Sequence, residues 1–136
     1  EGLEMMYDVT SDGGTNFGIN MTFANIGQDS DDPLTPNFNT PPFKLNFTLG
    51  HRKLGRHLAA QLSWRFRSEF EWESAFVDGT VPDYHTLDFQ ITYKIPTIFS
   101  AIRVGGNNVL NKEQFNTFGG AEVSSYYYIS FTFDQF

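Results

Sequence analysis

Cysteine is missing from the sequence, so neither a disulfide framework nor a thiolate metal site can form within it. Charge is also scarce, at 18% of residues against about a quarter in an ordinary soluble domain. Too few Lys and Glu remain to coat a soluble surface. What charge there is leans acidic, with 9 basic and 16 acidic residues and a net charge of −7. Such a balance excludes nucleic acid as a partner, because phosphate recognition needs a basic footprint. No apolar run approaches the ~18 residues of a membrane-crossing helix. No low-complexity linker divides the chain and no residue-level repeat is visible. The length of 136 residues fits one domain or a piece of one. It opens on Glu1 and not on Met, so a processed or cut chain is expected.

Aromatic residues, by contrast, reach 17%, with 15 Phe. They fall into a period of two, which puts alternate residues on opposite faces of a strand. Seven segments alternate in this way. Leu3, Met5, Tyr7 and Val9 form the first apolar set; Phe17, Ile19, Met21 and Phe23 the second; Phe43, Leu45, Phe47 and Leu49 the third. Leu58 to Phe66, Leu87 to Ile95, and Ile102 with Val104 continue the pattern. The last segment carries Tyr127, Ile129, Phe131 and Phe133 against Tyr128, Ser130, Thr132 and Asp134. No charge falls on the apolar face of any of these segments.

Alternation alone fits either a soluble β domain or a membrane barrel, and a mean hydropathy of −0.34 fits both. Three features favour the barrel. The polar face is mainly Asn, Gln, Ser, Thr and Gly, the lining of a watery interior. The apolar face is rich in Phe and Leu, with Tyr or Trp near strand ends. Finally, the connections alternate in length: 10–15, 53–56 and 96–100 are short, whereas 26–42, 69–85 and 110–125 are long. Outer-membrane barrels place short turns on the periplasmic rim and long loops outside. The expected fold is therefore all-β, a transmembrane antiparallel β-barrel. Seven strands fall short of the smallest such barrel, of about eight, so the chain is expected to be part of a larger one.

Three stretches carry a family resemblance. They are TPNFNTPPFKLNFTLGHR at 35–52, FEWESAFVDGTVPDYHTLDFQITYK at 70–94 and IRVGGNNVLNKEQFNTFGG at 102–120. In order, they resemble late barrel strands and loops of TonB-dependent outer-membrane transporters of the SusC-like and carboxypeptidase-regulatory-domain-bearing branches. Val109 stands where Leu is usual in the third motif, and Phe115 where Tyr is usual. The resemblance implies a barrel of about 22 strands around a plug, with 1–136 as its seven C-terminal strands and the plug and TonB box lying upstream of this chain. It implies import of a bulky nutrient (an iron chelate, glycan or peptide) driven through the plug by the TonB motor of the inner membrane. Its implied partners are outer-membrane lipid and lipopolysaccharide, the remaining strands and plug, the barrel-assembly machinery and a surface lipoprotein lid. Location in the Gram-negative outer membrane follows from the same resemblance.

The terminal strand is then the candidate functional element. Outer-membrane proteins of this kind end in an aromatic alternating strand that the assembly machinery recognises by strand pairing. Tyr127, Ile129, Phe131, Phe133 and Phe136 are its residues here. Phe136 has the parity of Tyr128 and Ser130, so either Phe133 is the anchor or Asp134 and Gln135 form a bulge.

Two other functions stay open: a barrel used as a non-transporting structural subunit, and a soluble β-sandwich binding module. No enzyme is expected, since no nucleophile–base arrangement, phosphate loop or metal cluster is apparent. The Asp29-Ser30-Asp31-Asp32 run lacks calcium-loop spacing and turn glycine and reads as a solvated loop tip. His51 to His57 reads as a solvated basic turn, and three dispersed histidines give no zinc motif.

Overall fold

The computed structural model describes residues 1–25, 39–113 and 118–133. Nine strands follow one another: β1 (Gly2–Thr10), β2 (Thr15–Ala24), β3 (Phe43–His51), β4 (Leu58–Arg67), β5 (Phe70–Glu73), β6 (Asp78–Val81), β7 (Tyr84–Ile95), β8 (Ser100–Asn107) and β9 (Tyr126–Phe133). Seven of them make one sheet in the order β1-β2-β3-β4-β7-β8-β9, while β5 and β6 pair as a separate ribbon. Every pairing is antiparallel. The fold is thus all-β. Barrel closure is not seen: among the described residues β1 pairs only with β2, and β9 only with β8. Because the seven strands alternate in direction, β1 and β9 run the same way. They cannot close on each other as antiparallel neighbours.

Register keeps the two faces apart over the full width. One row reads Val9, Phe17, Leu49, Leu62, Phe89, Gly106 and Tyr127 across the sheet. The next row along the strands reads Thr10, Asn16, Gly50, Gln61, Gln90, Gly105 and Tyr128. Aromatic neighbours knit the apolar face: Phe17 meets Phe47 edge-on at 5.3 Å, and Phe23 lies 4.8 Å from Phe43. Such pairs add about 0.5–1.5 kcal/mol beyond area burial. Histidines enter the apolar rows at their ends, where His51 pairs with Ala60, and His85 pairs with Phe66 beside Trp64.

No second layer covers this face among the described residues. Phe70 and Val81, both in the ribbon, are the only buried large hydrophobic residues there. Ile129 is 77% exposed and Phe131 61%. The total accessible surface is 9616 Å², against ~7,200 Å² for a compact monomer of this mass.

The polar face is knitted by hydrogen bonds. Asn20 donates to Glu4 at 2.8 Å, and Asn46 donates to Asn20 at 3.3 Å, linking β1, β2 and β3. Further across, the Tyr128 hydroxyl donates to Gln90 at 3.0 Å by crossing over β8. Gly105 is what permits this crossing. A Cβ there would lie 2.4 Å from the Tyr128 hydroxyl and 2.8 Å from the Phe89 carbonyl oxygen. Tyr128 can move aside, but the backbone carbonyl cannot without disturbing the β7–β8 ladder. Gly105→Ala is therefore expected to cost about 1–3 kcal/mol, and Tyr128→Phe only the net hydrogen bond of about 0.5–1.5 kcal/mol. Urea midpoints of the two variants of the folded protein should fall in that order.

Candidate functional site: the long-link rim and the terminal strand

All three short links, 11–14, 52–57 and 96–99, lie on one rim because each joins sequential antiparallel strands. Gly14, at φ 92°, closes the first, and its carbonyl accepts from the Arg52 amide of the second at 2.8 Å. Pro96–Ile98 form a single 3-10 turn that ends at Phe99 in the left-handed region, φ 50°. The opposite rim holds the long links.

The described parts of those long links are built structures. The β4–β7 link contains the β5–β6 ribbon, which sequence periodicity does not reveal, since each strand is 4 residues long. Arg67, buried at the end of β4, anchors it. Its guanidinium lies 4.2 Å from the Tyr84 ring centre and 5.0 Å from that of Phe70. Desolvated cation–π contacts of this kind contribute on the order of 2 kcal/mol. On the ribbon's far side, Asn39 donates to the Glu73 carbonyl at 2.8 Å and accepts from the Glu73 amide at 2.7 Å. The side chain thereby acts as one more strand residue, from a backbone at φ 46° that Asn tolerates better than most. Phe118 of the β8–β9 link lies over Gly79 of β6, where any Cβ would overlap its ring.

The GNNVLNK stretch is a second brace. Asn108, only 3% exposed, donates through its amide nitrogen to the Lys112 and Val123 carbonyls at 2.8 and 3.2 Å. Its side-chain oxygen accepts from the Lys112 amide at 3.2 Å. Its own backbone amide donates to Asp88 at 2.8 Å, and Asp88 also pairs with Arg65. Asn111 accepts from the Ser125 amide at 3.0 Å, holding the start of β9. Both asparagines are left-handed, at φ 49°. One chain of contacts thus runs from β4 through β7 and β8 to the base of β9. In the sequence these asparagines belong to the motif at 102–120, which by itself does not announce the brace.

Beneath these braces the polar face opens into a cavity of about 330 Å³ lined by Lys44, Arg65, Arg67, Asn46 and Tyr84 among others. No three His, Asp or Glu side chains converge on a metal position among the described residues. The Asp29–Asp32 run lies outside the described residues.

On β9, Tyr127, Ile129, Phe131 and Phe133 share the exposed apolar face, while Tyr128, Ser130 and Thr132 are half-buried on the other. The four aromatic or aliphatic residues of the candidate assembly signal are therefore on one face of an edge strand. Phe136, with Asp134 and Gln135, lies outside the described residues.

The arrangement defines an antiparallel β protein with one uncovered apolar face and two unlike rims. The chain matches no protein-family model, no curated protein and no solved structure in comparison.

Asn108→Gly keeps the left-handed backbone accessible and removes only the side-chain brace. The variant is expected to lose about 1–3 kcal/mol of stability. Amide exchange should accelerate at Lys112 while the β3–β4 ladder stays protected; uniform acceleration over the whole sheet would contradict a local brace.

Proposed function

We propose that the chain is a wall segment of a β-barrel in the outer membrane of a Gram-negative bacterium. It supplies the seven C-terminal strands of a TonB-dependent transporter that imports a bulky nutrient. One observation carries the membrane part: the apolar side chains of all seven sheet strands lie on a single continuous face with nothing packed on it among the described residues. Water penalises that surface, at about 25 cal/mol per Å². Lipid does not.

Other features fit the same solvent. The sheet strands are 8 to 12 residues long, and a tilted membrane strand needs about 9–11. Phe23, Phe43 and Phe66 cluster on the apolar face at the long-link end, and Tyr93 lies beside His57 at the other end. Leu49, Leu62 and Phe89 occupy a row between them. This is the order of a barrel wall with aromatic girdles.

Open edges favour a larger assembly. An unpaired peptide group in lipid costs several kcal/mol, so β1 and β9 require neighbours. An odd number of further strands allows antiparallel closure, and the remainder of a barrel of about 22 strands meets that condition. Transport follows from the motifs at 35–52, 70–94 and 102–120, which resemble those of TonB-dependent transporters. A non-transporting scaffold built on the same barrel shares everything except the dependence on energised uptake. A soluble sandwich requires a second sheet over Phe89 and Phe131, and Phe131 is exposed.

The terminal strand offers the test. In the complete protein, replacing Phe131 and Phe133 with Ser should lower the amount of barrel in the outer membrane severalfold. Uptake per assembled molecule should stay unchanged and should require TonB. Unchanged abundance with reduced uptake would place these residues in the transport path, and TonB-independent behaviour throughout would favour the scaffold.

A further inference from the structure

We infer that the polar face beneath the long-link rim binds the carboxylate or phosphate group of a small organic anion. On the transport reading above, on which this choice of substrate class rests, the imported solute is itself anionic.

Charge on the sheet is sorted by face and by strand. The cations of the seven sheet strands are Lys44, Arg65, Arg67, Lys94 and Arg103, and the register puts all of them on the polar face. The carboxylates of the same strands are Glu4, Asp8 and Asp88. Glu4 and Asp8 both belong to β1, at the edge of the sheet. Across the other six strands Asp88 is therefore the single carboxylate among those cations. A chain of net charge −7 carries a basic polar face.

Three of these cations gather at one place. Lys44 stands directly opposite Arg67, and Asn46 stands opposite Arg65 in the next polar row. Like charges directly opposite each other destabilise a sheet, so a negative group set between them gains from both. The cavity of about 330 Å³ that they line also takes in Asn46 and Tyr84, and no carboxylate. Its volume falls within the range of small-molecule sites. Glu71, Glu73 and Asp78 of the ribbon are exposed and stand outside its lining.

Each cation is held in a different way. The Arg67 guanidinium is fixed by the rings of Tyr84 and Phe70, at 4.2 and 5.0 Å. Arg65 pairs with Asp88, whose other oxygen accepts from the Asn108 amide at 2.8 Å, so the ion pair is itself pinned. That pairing leaves further N–H donors on the guanidinium, and the Arg65 side chain is 52% exposed. Lys44 is exposed and enters no ion pair among the described residues. Two cations are thus positioned by the fold and the third is open to solvent. An anionic group between Lys44 and Arg65 makes charge-assisted hydrogen bonds to both, and the Asn46 amide and Tyr84 hydroxyl supply neutral donors. Clustered Lys and Arg side chains select anions in polar interiors on the same principle.

The experiment titrates the complete protein, in a non-ionic detergent at low salt, with glucuronate, glucose 6-phosphate and glucose, and reads binding by calorimetry. At least one of the two anions should bind about tenfold more tightly than glucose, and the preference should shrink as salt rises. Whichever anion binds more tightly identifies the group. Lys44→Gln, at an exposed side chain, should remove about tenfold of the anion affinity without moving the thermal midpoint. Lys94→Gln, on the same face at the other rim, should leave the affinity unchanged. Equal affinity for all three probes, or binding of none, overturns the site and leaves the membrane reading intact. An anion preference that Lys44→Gln does not alter overturns it too. A protein that stays folded and monomeric without detergent overturns the membrane reading, and the substrate class with it, whatever the titration gives.

Discussion

The structure depends on the register that holds every apolar side chain of seven strands on one face. Side chains alternate with period two, so a slip by one residue between any two strands carries a whole set to the opposite face. In lipid that slip would send Arg65, Arg67 and Asp88 outward together; in water it would give no compensating gain. The pairing of Leu62 with Phe89 and of Ser63 with Asp88 is thus a single constraint seen from two sides. Cross-strand aromatic pairs reinforce it on one face, and the Glu4–Asn20–Asn46 ladder and the Tyr128–Gln90 bond reinforce it on the other.

That constraint leaves the ends of the strands free to differ, and they do. At one rim tight turns gather Arg52, Lys53 and Arg56. At the other, long links are pinned by asparagine side chains that take the place of backbone partners: Asn39 on Glu73, Asn108 on Lys112 and Val123, and Asn111 on Ser125. These side chains supply partners to peptide groups that no strand pairs. The cations of the polar face, Lys44, Arg65 and Arg67, lie directly beneath this rim. The apolar face, the polar face and the two rims are therefore chemically distinct zones of one sheet.

Much of this was legible in the sequence because period two is a long-range signal repeated over whole strands. The seven alternating segments, their order and their faces follow from it. So does the placement of Tyr127, Ile129, Phe131 and Phe133 together on β9. What was not legible is what periodicity cannot carry. The ribbon of β5 and β6 is too short to show a period, and its stability comes from Arg67 stacking on Phe70 and Tyr84, residues up to 17 positions apart. β7 begins at Tyr84, ahead of the first clear alternation at Leu87, because Arg67 pairs opposite Tyr84 and Phe66 opposite His85. Asn108 and Asn111 stand within the motif at 102–120, but their bracing role was not legible there, since a left-handed backbone and a distant carbonyl leave no local pattern.

No cysteine lies within these 136 residues, and with any cysteine elsewhere in the complete protein first replaced by serine the central claim is open to a direct measurement. Single cysteines placed in turn at Gln61, Leu62, Ser63, Trp64 and Arg65 of β4, each carrying a spin label, report which solvent each position meets. In the complete protein in lipid vesicles, labels at Leu62 and Trp64 should collide with oxygen dissolved in the bilayer. Labels at Gln61, Ser63 and Arg65 should be shielded from it, giving a strict alternation along the strand. Loss of that alternation, with the labels at Leu62 and Trp64 meeting water-borne reagents as readily as their neighbours, would contradict a lipid-facing sheet.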